Sequence, residues 1–243
     1  MKLHVLGCGD AFGSGGRRQS AYLIAADDRC FLLDCGPAAL FAMKRAGLEP
    51  RRLDAIFLSH LHGDHFGGVP FLLIEYLYRE PRARPLVIAG PPGTEARVRG
   101  LLELMYGGAR EIPFVEFAAL VPGAAQTLAG IEVLPFRVPH QLDAISLGLK
   151  VRYEGKAILF SGDSAWTEEF IERARGADLF LCECSFYREQ PGAHVNYQIL
   201  RARLERLECK KLLLTHLGEE MLAHAAALDS RAALAEDGMV IEI

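Results

Sequence analysis

Four residues able to bind a metal fall within six positions, in the run His60-Leu61-His62-Gly63-Asp64-His65. His60 and His62 are two apart, so in an extended segment both side chains point to one side. Gly63 permits a sharp turn that carries Asp64 and His65 round to a second point. That arrangement makes two adjacent metal positions rather than one crowded position. The chain holds only 8 histidines, so three of them in so short a run form a pattern rather than a coincidence. A two-metal site needs more donors than these four. His140, Asp163 and His216 supply the need in number and type, and each lies just past an apolar strand, in Arg137-Val138-Pro139-His140, Leu159-Phe160-Ser161-Gly162-Asp163 and Leu213-Leu214-Thr215-His216. Imidazole and carboxylate donors suit two Zn2+ ions, and Mn2+ or Fe accept the same set. A water between two such ions loses a proton near neutral pH, so the chemistry expected is hydrolysis. Asp64 and Asp163 would neutralise part of the dication, and Asp64 is a candidate to orient the nucleophile.

The elements that must position these residues can be read from turn signals and apolar runs. Strands are expected at Lys2–Gly7, Ser20–Ala25, Cys30–Asp34, Asp54–Ser59, Leu86–Ala89, Phe114–Phe117 and Ile131–Pro135, each bounded by turn-forming residues. Ser146–Tyr153 and Ala157–Ser161 read as a hairpin around Glu154-Gly155. Asp178–Glu183, Lys211–Thr215 and Met239–Ile243 complete the strands. Helices are expected at Pro37–Ala46, Gly67–Arg79, Thr94–Met105, Thr167–Arg175, Asn196–Glu208 and Glu219–Leu228. The order fits one α/β domain over residues 1–243, two mixed sheets covered by helices. Its strand ends on one edge would gather the donors. Leu72-Leu73-Ile74 with Tyr76 and Leu77 reads as core, with a homodimer seam as the alternative.

Composition narrows the setting. The net charge of −4 argues against a chain that grips nucleic acid over its whole surface. Arg79, Arg82, Arg84, Arg97 and Arg99 make a local basic stretch that reads as a solvated face more readily than as a phosphate-binding patch. No apolar run approaches the roughly 18–20 residues of a membrane span, and the N-terminus lacks a signal-peptide core, so a cytoplasmic protein without membrane contact is expected. The 6 cysteines show no C-x-x-C spacing and should be reduced and mostly buried. Cys182 and Cys184, at i and i+2, share one strand face and read as core. The Gly9–Arg18 loop is glycine-rich but opens no helix, so it is no dinucleotide fingerprint. Its Arg17 and Arg18 read as solvated before they read as phosphate ligands.

With these residues in hand, the chain resembles the metallo-β-lactamase superfamily. The resemblance rests on His60, His62, Asp64 and His65, followed in order by His140, Asp163 and His216, with Asp34 in Leu32-Leu33-Asp34-Cys35-Gly36 matching an early Asp-x-Gly element. It implies an αββα four-layer sandwich. It also implies that His60, His62 and His140 hold one metal, that Asp64, His65 and His216 hold the other, and that Asp163 bridges them. His62 stands where the di-iron branch often carries Glu, which favours zinc and hydrolysis.

Within the superfamily the chain is most similar to ribonuclease Z and its short relatives. The segments that carry this are Leu6-Gly7-Cys8-Gly9-Asp10-Ala11-Phe12, Leu58–His65, Pro85–Pro91 and Asp237–Ile243. His194, in Gly192-Ala193-His194-Val195-Asn196, falls where those relatives carry a phosphate-contacting or proton-donating histidine. A histidine titrating near neutrality can protonate a leaving alkoxide; the plainer reading is a surface residue before a helix cap. Two features depart from ribonuclease Z. The chain passes almost directly from His140 into Ser146–Tyr153, with no long Gly/Pro-rich arm for tRNA, and Val195-Asn196 replaces the Ser/Thr that follows the histidine. The expected substrate is therefore a small phosphodiester or nucleotide, with RNA less favoured. A thioester, lactone or lactam hydrolase uses the same hydroxide and stands as the alternative, as does a ribonuclease Z-like RNA 3′-end endonuclease. A non-catalytic scaffold would be missing donors, and none of the seven is missing.

Overall fold

The computed structural model describes residues 1–82, 84–107, 111–188 and 192–243. Its strands in chain order are β1 (Lys2–Gly7), β2 (Ala21–Ala25), β3 (Cys30–Cys35), β4 (Ala55–Phe57), β5 (Leu86–Gly90), β6 (Val115–Ala119), β7 (Gln126–Leu128), β8 (Ile131–Arg137), β9 (Leu147–Tyr153), β10 (Lys156–Phe160), β11 (Leu179–Glu183), β12 (Leu212–Thr215), β13 (Ala232–Leu234) and β14 (Val240–Glu242). They form two seven-stranded sheets, ordered β14-β1-β2-β3-β4-β5-β6 and β13-β12-β11-β10-β9-β8-β7. The helices are α1 (Ala39–Arg45), α2 (Gly63–Phe66), α3 (Val69–Tyr78), α4 (Thr94–Met105), α5 (Glu169–Ala174), α6 (Tyr197–Arg201) and α7 (Glu219–Ala223).

Side-chain alternation turns these strands into layers. In β3, Phe31 and Leu33 enter the core between the sheets, while Cys30, Leu32 and Cys35 face α1 and α3. In β11, Leu179 and Leu181 point between the sheets and Phe180 and Cys182 point to the cluster beneath α5, α6 and α7. Three apolar cores thus separate four layers, and the αββα sandwich is the observed fold. Leu72, Leu73 and Tyr76 of α3 are buried in the second core. Cys182 and Cys184 are fully buried, as their spacing implies.

All the chemistry lies at one edge. β3, β4 and β5 run parallel, as do β10, β11 and β12, and β1 and β8 run with them through antiparallel neighbours. The carboxyl ends of β1, β3, β4, β8, β10, β11 and β12 therefore open on one rim. The sheets are stitched there by backbone hydrogen bonds, Leu147 N to Ser59 O at 3.0 Å and Leu217 N to Cys8 O at 3.0 Å.

The differences from the sequence reading are local. The Glu154-Gly155 hairpin has both turn residues at positive φ, 47° and 72°, as a type I′ turn requires. A second such turn, Ala129-Gly130 at 50° and 80°, joins β7 to β8; its alanine hides it from turn statistics. The expected helix Asn196–Glu208 stops at Arg201 and continues as a 3-10 turn, Leu204–Arg206, because the chain must turn back into β12. The expected helix Glu219–Leu228 ends at Ala223. Met221 is its one buried residue, too little apolar contact to propagate a longer helix. β13 carries no alternation signal and exists by parallel pairing with β12.

Candidate active site

The apolar strand β4 delivers Ser59 and His60 at the rim. His62 then precedes the one-turn helix α2, which starts at Gly63 and turns Asp64 and His65 back toward the same centre. Phe66 is buried behind it and anchors that turn. His140 follows β8, Asp163 follows β10 and His216 follows β12. Gly162 has φ +58°, and a Cβ there would stand 2.7 Å from Ser59 Cβ, so only glycine lets Asp163 approach. Asp34 and His216 adopt left-handed φ values, 56° and 54°. Strain of this kind at strand ends is typical of functional positions.

All seven sequence-derived donors come together. In one group, His62 Nδ1 lies 3.0 Å from His60 Nε2 and 3.2 Å from His140 Nε2, with Asp163 Oδ2 at 3.8 and 3.9 Å from those two Nε2 atoms. In the other, Asp64 Oδ2 lies 3.2 Å from His65 Nε2 and 3.4 Å from His216 Nε2. Asp163 adds Oδ1 at 3.2 Å from His65 and Oδ2 at 3.3 Å from His216. The far ring nitrogens are held from behind. His60 Nδ1 meets Ser59 Oγ at 3.0 Å, His65 Nδ1 meets Asp34 at 2.6 Å, His140 Nδ1 meets the Ala193 carbonyl at 3.1 Å and His216 Nδ1 meets Ser185 Oγ at 2.9 Å. A histidine that donates from Nδ1 presents the lone pair of Nε2, the form a metal needs.

This donor set fits cations. His65 Nε2 and Asp163 Oδ1 are buried with no hydrogen-bond partner, which is costly unless a positive centre satisfies them. Burial would raise the carboxyl of Asp163, yet the surrounding His216, His65 and His60 hold it well below the usual range. Burial would likewise lower His65, and Asp163 and Asp34 outweigh it and push its pKa up. The cluster thus demands positive charge, which metal ions supply in place of protons.

His194 also reaches this centre. Its ring stacks on that of His216 at 5.4 Å and meets His140 edge-on at 5.0 Å. Its Nδ1 lies 3.0 Å from Glu183 Oε1. Burial lowers its pKa, but the hydrogen bond and charge of Glu183 prevail and push it up to about 9. The preceding Glu189–Pro191 lies outside the described residues. Glu183 is a site residue the sequence reading missed. Its signal was available: if Cys182 and Cys184 face the core, Glu183 between them points to the opposite side, at a strand's carboxyl end.

Three of the arginines weighed as phosphate ligands have structural contacts of their own. Arg18 donates from Nε to the Leu6 carbonyl and pairs with Asp237. Arg82 binds the carbonyls of Arg51, Leu53 and Pro85 and lies over the Tyr76 ring. Arg84 pairs with Asp54 at 3.1 Å.

A family model described as "Anti-Pycsar protein Apyc1" matches residues 1–241. The chain belongs to this family. Its relatives carry the same fold. Ribonuclease Z of Methanosarcina acetivorans is 27% identical over all of this chain and 98% of its own length. The probable metallo-hydrolase YhfI of Bacillus subtilis is 26% identical, covering 89% of this chain and 87% of its own. The crystal structure of YhfI, a metallo-β-lactamase fold protein, superposes with a TM-score of 0.81 at 24% identity over 99% of both chains. That of the short form of human tRNase Z superposes at 0.80 with 25% identity, covering 100% of this chain and 99% of that one. The Apyc1-family chain is thus a metal-dependent hydrolase of the metallo-β-lactamase fold, close to ribonuclease Z-like proteins. Among the described residues no helix is long and apolar enough to cross a membrane.

Proposed function

We propose that this protein is a dinuclear metal phosphodiesterase acting on a small nucleotide that carries a single phosphodiester, with a 3′,5′-cyclic mononucleotide as the type of substrate. The observation that carries this reading is the cavity over the donor cluster. It has a volume of about 560 Å3 and is walled by Phe12, Phe186, Glu219 and Glu220 outside the donors; no Lys or Arg is among its described lining residues. One phosphodiester charge can be met by cations in the cluster and by His194. The further phosphates of RNA would meet Asp10, Glu219 and Glu220, of which, among the described residues, only Glu220 is paired with a cation, Arg188 at 3.6 Å, a net repulsive lining.

Phe12 supports a base-bearing substrate. It is 92% exposed, costly for a phenyl ring without a partner, yet its loop is built to hold it there. Asp10 accepts from the backbone N–H of Phe12 and Ser14, both at 3.1 Å, and from the Ser14 hydroxyl at 2.7 Å. Glu219 accepts from Gly15 N at 2.9 Å. A rigid aromatic face at a cavity mouth is a stacking platform for a nucleobase, worth about 1–3 kcal/mol per base.

His60, His62, His140 and Asp163 would hold one ion, and Asp64, His65, His216 and Asp163 the other, with zinc favoured by the donor chemistry. Bound there, the two ions supply Lewis acidity toward a water nucleophile and the phosphoryl oxygens. Asp64 orients the nucleophile, and Asp163 balances charge between the two positions. His194, fixed by Glu183, gives its Nε2 proton to the leaving ribose oxygen.

The test is metal analysis of the purified protein with turnover of 3′,5′-cyclic mononucleotides, a short RNA and a p-nitrophenyl acyl ester. Two metal equivalents and preference for the cyclic nucleotides are expected. Preference for the ester would move the assignment to acyl hydrolysis. Phe12→Ala should raise KM for cyclic nucleotides roughly tenfold or more, the size of one lost stack, with kcat nearly unchanged. An unaltered KM would remove Phe12 from recognition.

A further inference from the structure

The two halves of the donor cluster repeat one hydrogen-bonding device. In the first sheet a buried carboxylate, Asp34, stands at the end of β3. It takes His65 Nδ1 directly at 2.6 Å and accepts from the Ser59 hydroxyl at 2.8 Å, and that hydroxyl meets His60 Nδ1 at 3.0 Å. In the second sheet a buried carboxylate, Glu183, stands at the end of β11. It takes His194 Nδ1 directly at 3.0 Å and accepts from the Ser185 hydroxyl at 3.1 Å, and that hydroxyl meets His216 Nδ1 at 2.9 Å. Each carboxylate also receives a backbone N–H on one oxygen, from Ser59 at 2.8 Å and from Ser164 at 2.6 Å.

A hydroxyl owns one hydrogen, so each serine has limited choices. When His60 and His216 face the cluster through a bare Nε2, their Nδ1 atoms carry hydrogen and donate to the serine. The serine hydrogen must then go elsewhere, and a carboxylate oxygen is the strongest acceptor within reach; for Ser185 the weaker competitor is the His216 carbonyl at 3.1 Å. The direction of the chain is thereby set, from histidine to serine to carboxylate.

We propose that Ser59 and Ser185 are paired positioning residues, each relaying a buried carboxylate to one metal-ligating histidine; Glu183 reaches only the second metal position in this way, whereas Asp34, which also holds His65 directly, touches both. Ser59 acts on the His60–His62–His140 position through Asp34, and Ser185 acts on the Asp64–His65–His216 position through Glu183. The carboxylate that serves the proton-donating His194 directly also serves a metal ligand at one remove. This rests on the dinuclear part of the proposed function and not on the choice of substrate.

The experiment is chelator-competition titration of Zn2+ on the full chain and on Ser59→Ala and Ser185→Ala, with Co2+ absorption spectra of each. Ser185→Ala should weaken one of the two equivalents about 10- to 100-fold, as loss of an outer partner of a metal-bound histidine does, and leave the other at the wild-type value. Ser59→Ala should weaken the His60–His62–His140 equivalent to a similar extent and, because Asp34 also holds His65, the other to a lesser extent. The altered Co2+ bands should differ between the two variants. Thermal melts of the metal-free proteins separate misfolding from metal effects, and Ser185→Ala alone decides the case if Ser59→Ala does not fold. Wild-type affinity for both equivalents in a folded Ser185→Ala protein overturns the relay. Weak binding of both equivalents in that variant overturns the restriction of Glu183 to one position. Because metal affinity is the readout, failure of cyclic nucleotide turnover leaves this result standing, and failure of the relay leaves the phosphodiesterase assignment standing.

Discussion

Asp163→Ala should take the metal content from two equivalents per chain to at most one and cut turnover by about a thousandfold or more. Among the described residues Asp163 is the one carboxylate that faces both groups of histidines, with oxygens 3.2–3.9 Å from the Nε2 atoms of His60, His65, His140 and His216. It is 3% exposed, so water cannot replace its charge. Without it the five histidines of the two groups converge with Asp64 as the sole acidic donor among the described residues of those groups, and a second divalent ion would enter a site with too little compensating charge. Metal Lewis acidity in hydrolysis is worth several kcal/mol, and each ~1.4 kcal/mol is tenfold in rate, which sets the scale of the loss. Asp163→Asn keeps the volume and removes the charge, so equal losses in both variants point to electrostatics rather than to a cavity. Inductively coupled plasma metal analysis of matched preparations gives the answer, and two retained equivalents in Asp163→Ala would refute the bridging assignment.

The parts of this site legible in the sequence were those whose chemistry is rare. Three histidines within six residues cannot be hidden by a core pattern, and His140, Asp163 and His216 announce themselves by following apolar strands. The two helix-covered sheets were legible from the order of strands and helices, and the four-layer arrangement from the resemblance to the metallo-β-lactamase superfamily. What stayed hidden was the set of residues that hold the donors. Ser59 and Ser185 are common types whose role depends on which hydroxyl meets which ring nitrogen, and that depends on cross-sheet register. Glu183 looked like a polar interruption of a cysteine-bearing strand. Phe12 sat in a glycine-rich loop that matched no dinucleotide fingerprint, whereas the carboxylate of Asp10 holds that loop in place. The arginines were read as solvated, and for Arg82 the structural role was hidden because a guanidinium that caps carbonyls has the same sequence signature as one awaiting phosphate.

His194→Ala should keep both metal equivalents and lose rate in proportion to how poor the leaving group is. With an alkoxide such as a ribose oxygen, loss of a general acid costs about 10²–10⁴-fold. With p-nitrophenolate, which departs without a proton, the cost should be small. The expectation follows from position: His194 contacts the rings of His140 and His216 but donates its own Nδ1 hydrogen bond to Glu183, so its imidazole can be removed without removing a donor from either group. The pH dependence has a definite sign. Glu183 raises the pKa of His194 against the effect of burial, to about 9, so the acid form prevails at neutral pH and is lost as pH rises through that value, or lower when cations in the cluster oppose its charge. The wild-type rate on cyclic nucleotides should therefore carry an alkaline limb that His194→Ala lacks. Glu183→Gln, which keeps the hydrogen-bonding shape and removes the charge, should shift that limb to lower pH. Equal losses on alkoxide and p-nitrophenolate substrates in His194→Ala would mean that the residue binds phosphate rather than delivering a proton, and the limb should then survive unchanged in kcat.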